Sequence, residues 1–188
     1  MIIRLFVSFW FLSQAARAIK TNVTIDDSSD PRTGRQILYS PPSAWNSGTL
    51  CQKGPGECTA IPSTDNLHEG TWHESTFNPI DSSSNNFPNT PLTVTVQFNG
   101  TAVYVLCALA LTRSSPFGNS DMSFFIDNQL VGNFSRPAPN LPGYEYNIPV
   151  YSNKTLPPGL HELLIVNGRV NGTKSLIIID QIVYSYVL

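Results

Sequence analysis

The stretch PLTVTVQFN, from Pro91 to Asn99, alternates strictly, with Leu92, Val94, Val96 and Phe98 on one side and Thr93, Thr95 and Gln97 on the other. A period of two does not fit an amphipathic helix; it describes a strand with one face in a core and one in water. The run that follows, AVYVLCALA, is apolar on both faces, as expected of a central strand covered on both sides. Further short strand patterns lie in VTIDD, QILYS and GTWHESTF, and MSFFIDNQLVGNF reads as two strands around an Asp127-Asn128 hairpin turn. YEYNIPVYS and LHELLIVNG flank a Pro/Gly turn, and no capped helical pattern appears beyond residue 18. This spacing predicts an all-β fold, a single β-sandwich or jelly roll.

The run SLIIIDQIVYSYVL, Ser175 to Leu188, is apolar enough to raise the question of a membrane anchor. It is too short to span a bilayer as a helix, and Asp180 and Gln181 sit in its middle. The same acid interrupts the tail that a lipid-anchor signal needs. Six of its fourteen residues are Ile or Val, which favours a strand. Strict alternation assigns Leu176, Ile178, Ile182, Tyr184 and Tyr186 to one face and Ile177, Ile179, Val183 and Val187 to the other. It is therefore expected to be the last core strand of an untethered protein, with Asp180 buried and paired.

At the other end, MIIRLFVSFWFLSQAARA carries one early positive charge, a short apolar stretch and an Ala16-Arg17-Ala18 cleavage pattern. Residues 1–18 thus read as a secretory signal peptide and residues 19–188 as one β-sandwich domain. Without that leader nine basic residues face 13 acidic ones, scattered with no basic stripe. Nucleic acid and anionic membrane are excluded as expected partners. The extracellular reading suits the cysteines: CQKGPGEC places Cys51 and Cys58 across a short loop that an oxidising compartment would close into a disulfide. Cys107 lies inside an apolar run, where a thiol behaves as a small hydrophobe. Asn22, Asn99, Asn133, Asn153 and Asn171 each begin an N-x-Ser/Thr acceptor.

Catalytic signatures are absent. His68, His73 and His161 form no metal-ligand spacing, no Gly-x-Ser-x-Gly elbow occurs, and no carboxylate pair is singled out by position. His161, in PPGLHELLI, reads as structural. Sugar recognition needs an aromatic face and a few oriented polar groups. The loop-rich segment from Tyr39 to Phe87 offers Trp45, Trp72, His73, Phe77, Asn85 and Asn86, and the RSSPFGNSD loop offers Arg113, Asn119 and Asp121. From these Trp45, Trp72, His73, Arg113, Asn119 and Asp121 are the candidate ligand-binding set, with core packing as the competing role of each Trp.

Taken in order, VTIDD, ILYSPPSAWN, GTWHESTF, LTVTVQFNGTAVYVLCAL, MSFFIDNQLVGNF, YEYNIPVYSNKTLPPGLHELLIV and SLIIIDQIVYSY resemble the secreted and membrane-tethered β-sandwich domains of mushroom-forming (basidiomycete) fungi. These are similar in turn to galactose-binding-like jelly rolls. The resemblance rests on packing and turn motifs: F-x-G-T-A leading into a buried strand, a hydrophobic-Asp-Asn hairpin, L-x-x-G-x-H, and a last strand with a central Asp. It implies that fold and a non-catalytic carbohydrate-binding or cell-surface recognition role, with glycans or wall polysaccharide as partners. The alternative is a structural cell-wall or extracellular-matrix glycoprotein without a small ligand. Since some galactose-binding-like domains hold a structural calcium, Asp26, Asp27 and Asp30 are a candidate set for that ion.

Overall fold

The computed structural model describes residues 19–27, 37–52, 58–80 and 86–187. The leader of residues 1–18, Asp30 and Asn85 lie outside them. Eleven strands carry the fold: β1 (Lys20–Asp26), β2 (Ile37–Ser40), β3 (Asn46–Ser47), β4 (His73–Phe77), β5 (Leu92–Gly100), β6 (Ala102–Ala110), β7 (Ser120–Ile126), β8 (Gln129–Arg136), β9 (Tyr144–Asn153), β10 (Gly159–Asn167) and β11 (Ser175–Val187). One α-turn (Gly48–Cys51) and three 3-10 turns (Pro42–Ala44, Thr64–Asn66 and His68–Gly70) are the helical elements among the described residues. No helix there is long and apolar enough to cross a membrane.

The strands form two antiparallel sheets. The five-stranded sheet runs β2-β5-β10-β7-β8, and the six-stranded sheet runs β3-β4-β11-β6-β9 with β1 added against β11. Apart from the β3–β4 and β7–β8 pairs, successive strands cross between the layers, and the long-range pairings define a β-sandwich of jelly-roll type. The alternation in β5 is realised as read: Leu92, Val94, Val96 and Phe98 are buried between the sheets, while Thr93, Thr95 and Gln97 face outward. Facing them across the core are Val103, Val105, Cys107 and Leu109 of β6 and Ile177, Ile179, Ile182 and Tyr184 of β11.

β6 corrects the expectation of cover on both sides. Its outward Ala108 and Ala110 lie in a second, smaller cluster with Trp72, Leu67, Ala60, Leu176 and Ile178. Outward Tyr104 and Leu106, nearer its start, remain half-buried. The segment between β3 and β4 therefore covers half of the six-stranded sheet's outer face and leaves the other half open.

β11 corrects the expectation of strict alternation. Its pairing with β6 shifts by one residue between Ile179 and Gln181, which makes Asp180 a β-bulge. The inward residues are Ile177 and Ile179 before the bulge and Ile182 and Tyr184 after it, whereas Leu176 and Ile178 face the second cluster. The bulge falls where two strands meet end to end along one edge of β11: β4 pairs with residues 175–179 and β1 with residues 181–187.

The β7–β8 hairpin turns at Asp127 and Asn128, with φ of 51° and 64°. Two successive left-handed residues make a turn whose twist suits flanking strands, and Asn tolerates that conformation in place of Gly. Asp127 also reaches β10: Oδ1 accepts the Glu162 N–H at 2.9 Å and Oδ2 lies 2.7 Å from His161 Nδ1. The other ring nitrogen, Nε2, faces the Pro157 carbonyl at 2.8 Å. Both nitrogens thus face acceptors, and only the protonated imidazole satisfies both. Burial pulls the His161 pKa down, but the Pro157 carbonyl and Asp127 outweigh it and raise it above the ordinary value. The Glu162 N–H and then His161 hold Asp127 below the usual carboxylate range.

Stability from a raised histidine is full below its unfolded pKa and fades as pH rises through the folded value. Stability from a lowered carboxylate is present above its unfolded pKa and fades as pH falls through the folded one. The pair therefore contributes most between roughly pH 4 and 6.5, the ordinary values of the two groups. Asp127→Asn, which keeps the turn conformation, is expected to lower Tm more at about pH 5.5 than at about pH 8. An equal loss at both, measured by thermal melts, contradicts the ionic role.

Candidate functional site

The segment that covers the six-stranded sheet is held by buried polar anchors. Glu74 in β4 is 1% exposed. Its carboxylate accepts the Thr59 and Ala60 N–H groups, each at 2.6 Å, and Asn46 Nδ2 at 3.3 Å. Burial raises its pKa against the lowering effect of those same bonds. The Tyr144 and Tyr146 hydroxyls of β9 accept the Ile61 and Ser63 N–H groups at 2.9 and 2.8 Å. The disulfide Cys51–Cys58 closes the cover with its Cα atoms 5.4 Å apart, a normal span. Cys107 is a free thiol buried in the main core, and burial pushes its pKa far above the ordinary range.

Packing takes both tryptophans. Trp72 has no exposed surface and lies flat on Gly48, where an added Cβ would come within 2.4 Å of its ring. Trp45 is 8% exposed, with its ring 4.8 Å from that of Tyr39. His73 stacks on the other side of Tyr39, at 4.4 Å and 9°. Its Nδ1 bonds to Asp27, whose second carboxylate oxygen accepts the Thr71 hydroxyl. The Tyr39 hydroxyl donates to the Asp27 carbonyl at 2.6 Å. These side chains seal the sandwich edge where β1 and β4 meet, and none offers a free aromatic face. The ligand-contact role expected of Trp45 and Trp72 gives way to the core role because each ring is enclosed.

Arg113, Asn119 and Asp121 tie loops together at the opposite end. Arg113 Nε donates to the Ala138 carbonyl at 2.6 Å, and Asn119 Oδ1 accepts the Ala138 N–H at 2.8 Å. Asp121, 6% exposed, accepts Arg169 Nε at 2.9 Å. The structure thus divides the six candidate residues among the cover (Trp72), the edge seal (Trp45 and His73) and a loop knot (Arg113, Asn119 and Asp121). The calcium set is not assembled by the described residues. Asp27 is committed to His73 and Thr71, Asp26 accepts from Thr71 at 3.1 Å, and Asp30 lies outside them. No group of three or more His, Cys, Asp or Glu among the described residues is placed to hold a metal ion.

A different feature gathers polar groups with no sequence motif. At the foot of the cover a groove of about 390 Å³ is lined by Asp65, Asn66, His68, Tyr146, Asn147 and Gln181. The first three come from the two 3-10 turns that form its wall. The last three come from bulges in the two strands flanking β6. On β9 the pairing slips so that Tyr146 and Asn147 together face Ala108, and on β11 the slip at Asp180 turns Gln181 outward. The two bulges flank the Cys107 row, where β6 pairs with Ile148 on one side and Ile179 on the other: the β9 slip lies on its Leu109 side and the β11 slip on its Leu106 side. Asn147 adopts a left-handed φ of 53° within its strand, a conformation that Asn tolerates and that β-bulges commonly use. Wall and floor are joined by the His68 N–H, which donates to Asp180 Oδ1 at 2.7 Å. Asp180 is wholly buried, and burial lifts its pKa against that bond.

A larger concavity, about 610 Å³, opens at the chain-terminal end of the sandwich between the β5–β6 turn and β11. Tyr186, Val23 and Pro158 line it together with Asn99, one of the N-glycosylation acceptors. Asn22, Asn99, Asn133 and Asn171 are exposed and Asn153 is half-buried.

No protein-family model matches the chain, and no curated protein matches it in sequence. Solved structures similar in fold include an exo-β-1,3-galactanase from Phanerochaete chrysosporium, at 12% identity over 89% of this chain and 29% of that one, with a TM-score of 0.45. A family 35 carbohydrate binding module from Clostridium thermocellum shares 8% identity over 88% of this chain and 98% of its own, with a TM-score of 0.44. A Podospora anserina β-(1,4)-mannanase carrying such a module shares 14% identity over 89% of this chain and 28% of that one, with a TM-score of 0.42. The chain spans less than a third of either enzyme.

Trp72→Ala is expected to cost about 3–5 kcal/mol in urea unfolding, the scale for an enclosed aromatic. A loss under about 1 kcal/mol would show that the ring is not a core element. In the native protein Cys107 should resist alkylation until denaturant unfolds the chain.

Proposed function

We propose that the chain is a secreted, N-glycosylated, non-catalytic carbohydrate-binding module, and that the groove at the foot of the cover is its sugar site. The carrying observation is the pair of bulges in the strands flanking β6, on adjacent rows, that place Tyr146, Asn147 and Gln181 beside Asp65, Asn66 and His68. Carboxylate, amide and imidazole groups supply both donors and acceptors, which is what a ring bearing several hydroxyls requires. Tyr146 adds an aromatic surface for the apolar side of a sugar, and its hydroxyl is already anchored to Ser63. The groove is pre-formed: its wall is tied to the sheet by the His68–Asp180 and Ser63–Tyr146 bonds, and its floor is set by strand pairing. Pre-organisation lowers the ordering cost of binding. The larger end cavity is a poorer candidate, because a glycan on Asn99 would stand in its lining.

A glycan array followed by titration calorimetry tests this reading. Asn147→Gly, which keeps the left-handed backbone, and Gln181→Ala should each weaken binding about tenfold, the scale of one hydrogen bond. Neither should lower Tm appreciably. Undiminished binding by both variants moves the site elsewhere, and Tyr186→Ala then examines the end cavity. Failure to bind any glycan or wall polysaccharide favours the structural glycoprotein instead. Expression with the native leader should release protein with Ile19 at its N-terminus; retention in the membrane fraction contradicts secretion.

A further inference from the structure

We infer that the groove is the first of a row of subsites, and that the ligand is an extended neutral oligosaccharide chain lying across the open half of the six-stranded sheet as far as Tyr104. This rests on the groove being a sugar site. Strand register places the row. Gln181 in the groove pairs with Leu106 of β6, and two residues further along β11 Val183 pairs with Tyr104. All four point outward, because their neighbours Val103, Val105, Ile182 and Tyr184 fill the inter-sheet core. Two residues along a strand advance about 7 Å, a distance that one to two pyranose units of an extended chain bridge.

Tyr104 is half-buried on this face, with Lys154 Nζ 6.0 Å from its ring centroid. Thr24 and Ser152, the partners of Val183 and Tyr104 on the next strands, are both exposed. Nothing described closes the face beyond the groove on this side, so the geometry suits the middle of a chain rather than a lone terminal sugar. Asp65 at one end and Lys154 at the other leave no single-sign field, which favours an uncharged polymer. The acceptor Asn22 pairs with Ser185, one row past Val183, so a glycan there would mark the far end of the track.

The test is calorimetry with β-1,3- and β-1,4-linked gluco- and galacto-oligosaccharides, from the monosaccharide to the hexamer. Affinity should rise with length over the first three or four units and then level off. Tyr104→Thr, which retains a strand-forming residue, should remove about tenfold of that gain, one aromatic contact's worth, while leaving monosaccharide affinity and Tm unchanged. Tyr104→Phe should restore most of the gain. A monosaccharide bound as tightly as the hexamer, or a full length gain in Tyr104→Thr, overturns the row of subsites and leaves the groove standing. No binding at any length overturns both.

Discussion

Asp180 sets the side that β11 shows to each layer. Ahead of it the strand buries Ile177 and Ile179 in the main core and presents Leu176 and Ile178 to the cover. Beyond it the inward residues are Ile182 and Tyr184, and the outward ones are Gln181 and Val183. Were Asp180 kept in regular pairing with no bulge, strict alternation would place Leu176 and Ile178 with Ile182 in one core and send Ile177 and Ile179 outward. The bulge lets one strand of thirteen residues serve two partners on one edge and a capped and an open half of its own outer face. Its cost is a buried carboxylate: one oxygen accepts the His68 N–H, and the other has no hydrogen-bond partner among the described residues. Burying a polar group in this way is unfavourable, and what it secures is the junction of wall and floor.

The cover follows from the same junction. Leu176 and Ile178 face outward as an apolar strip, and Trp72, Leu67 and Ala60 bury it. At about 25 cal/mol per Å² of apolar surface, that burial is the main force drawing the segment down. The Glu74 carboxylate then satisfies two backbone N–H groups that the cover would otherwise bury unpaired. The bonds set where the cover lies and the apolar strip sets that it lies there at all. The groove is the gap left where the cover ends and the sheet continues.

How far the sequence could be read follows from what each device leaves in it. The alternation in β5 and the Asp127-Asn128 turn were legible because each is a local pattern with one physical solution. The apolar run of β6 told a central strand but not that only part of its outer face is covered. The short Cys51–Cys58 loop, like the turn, was legible as a local pattern. The bulge at Asp180 was not, because an extra residue inside an apolar run has no signature: Ile and Leu on either side suit both faces. The tryptophans misled by chemical type. An indole in a loop-rich segment serves a sugar or a core equally well, and only the closure of the cover over Gly48 decides it for Trp72.

The groove was invisible for a further reason. Its residues come from three stretches, 65–68, 146–147 and 181, and none stands out in its own neighbourhood. Asn66 and His68 look like turn residues, and Asn147 looks like a defect in a strand. They meet because bulges in the two strands beside β6 fall on adjacent rows, one on each side of Cys107, a register that no single segment encodes. A bulge on one side alone would offer half of this set to solvent. The arrangement is therefore best regarded as one device, in which both neighbours of β6 slip in register within a row of Cys107. Substitution of those few outward residues would change the lining of the groove and leave the core untouched, since the inward faces of the same strands carry the core.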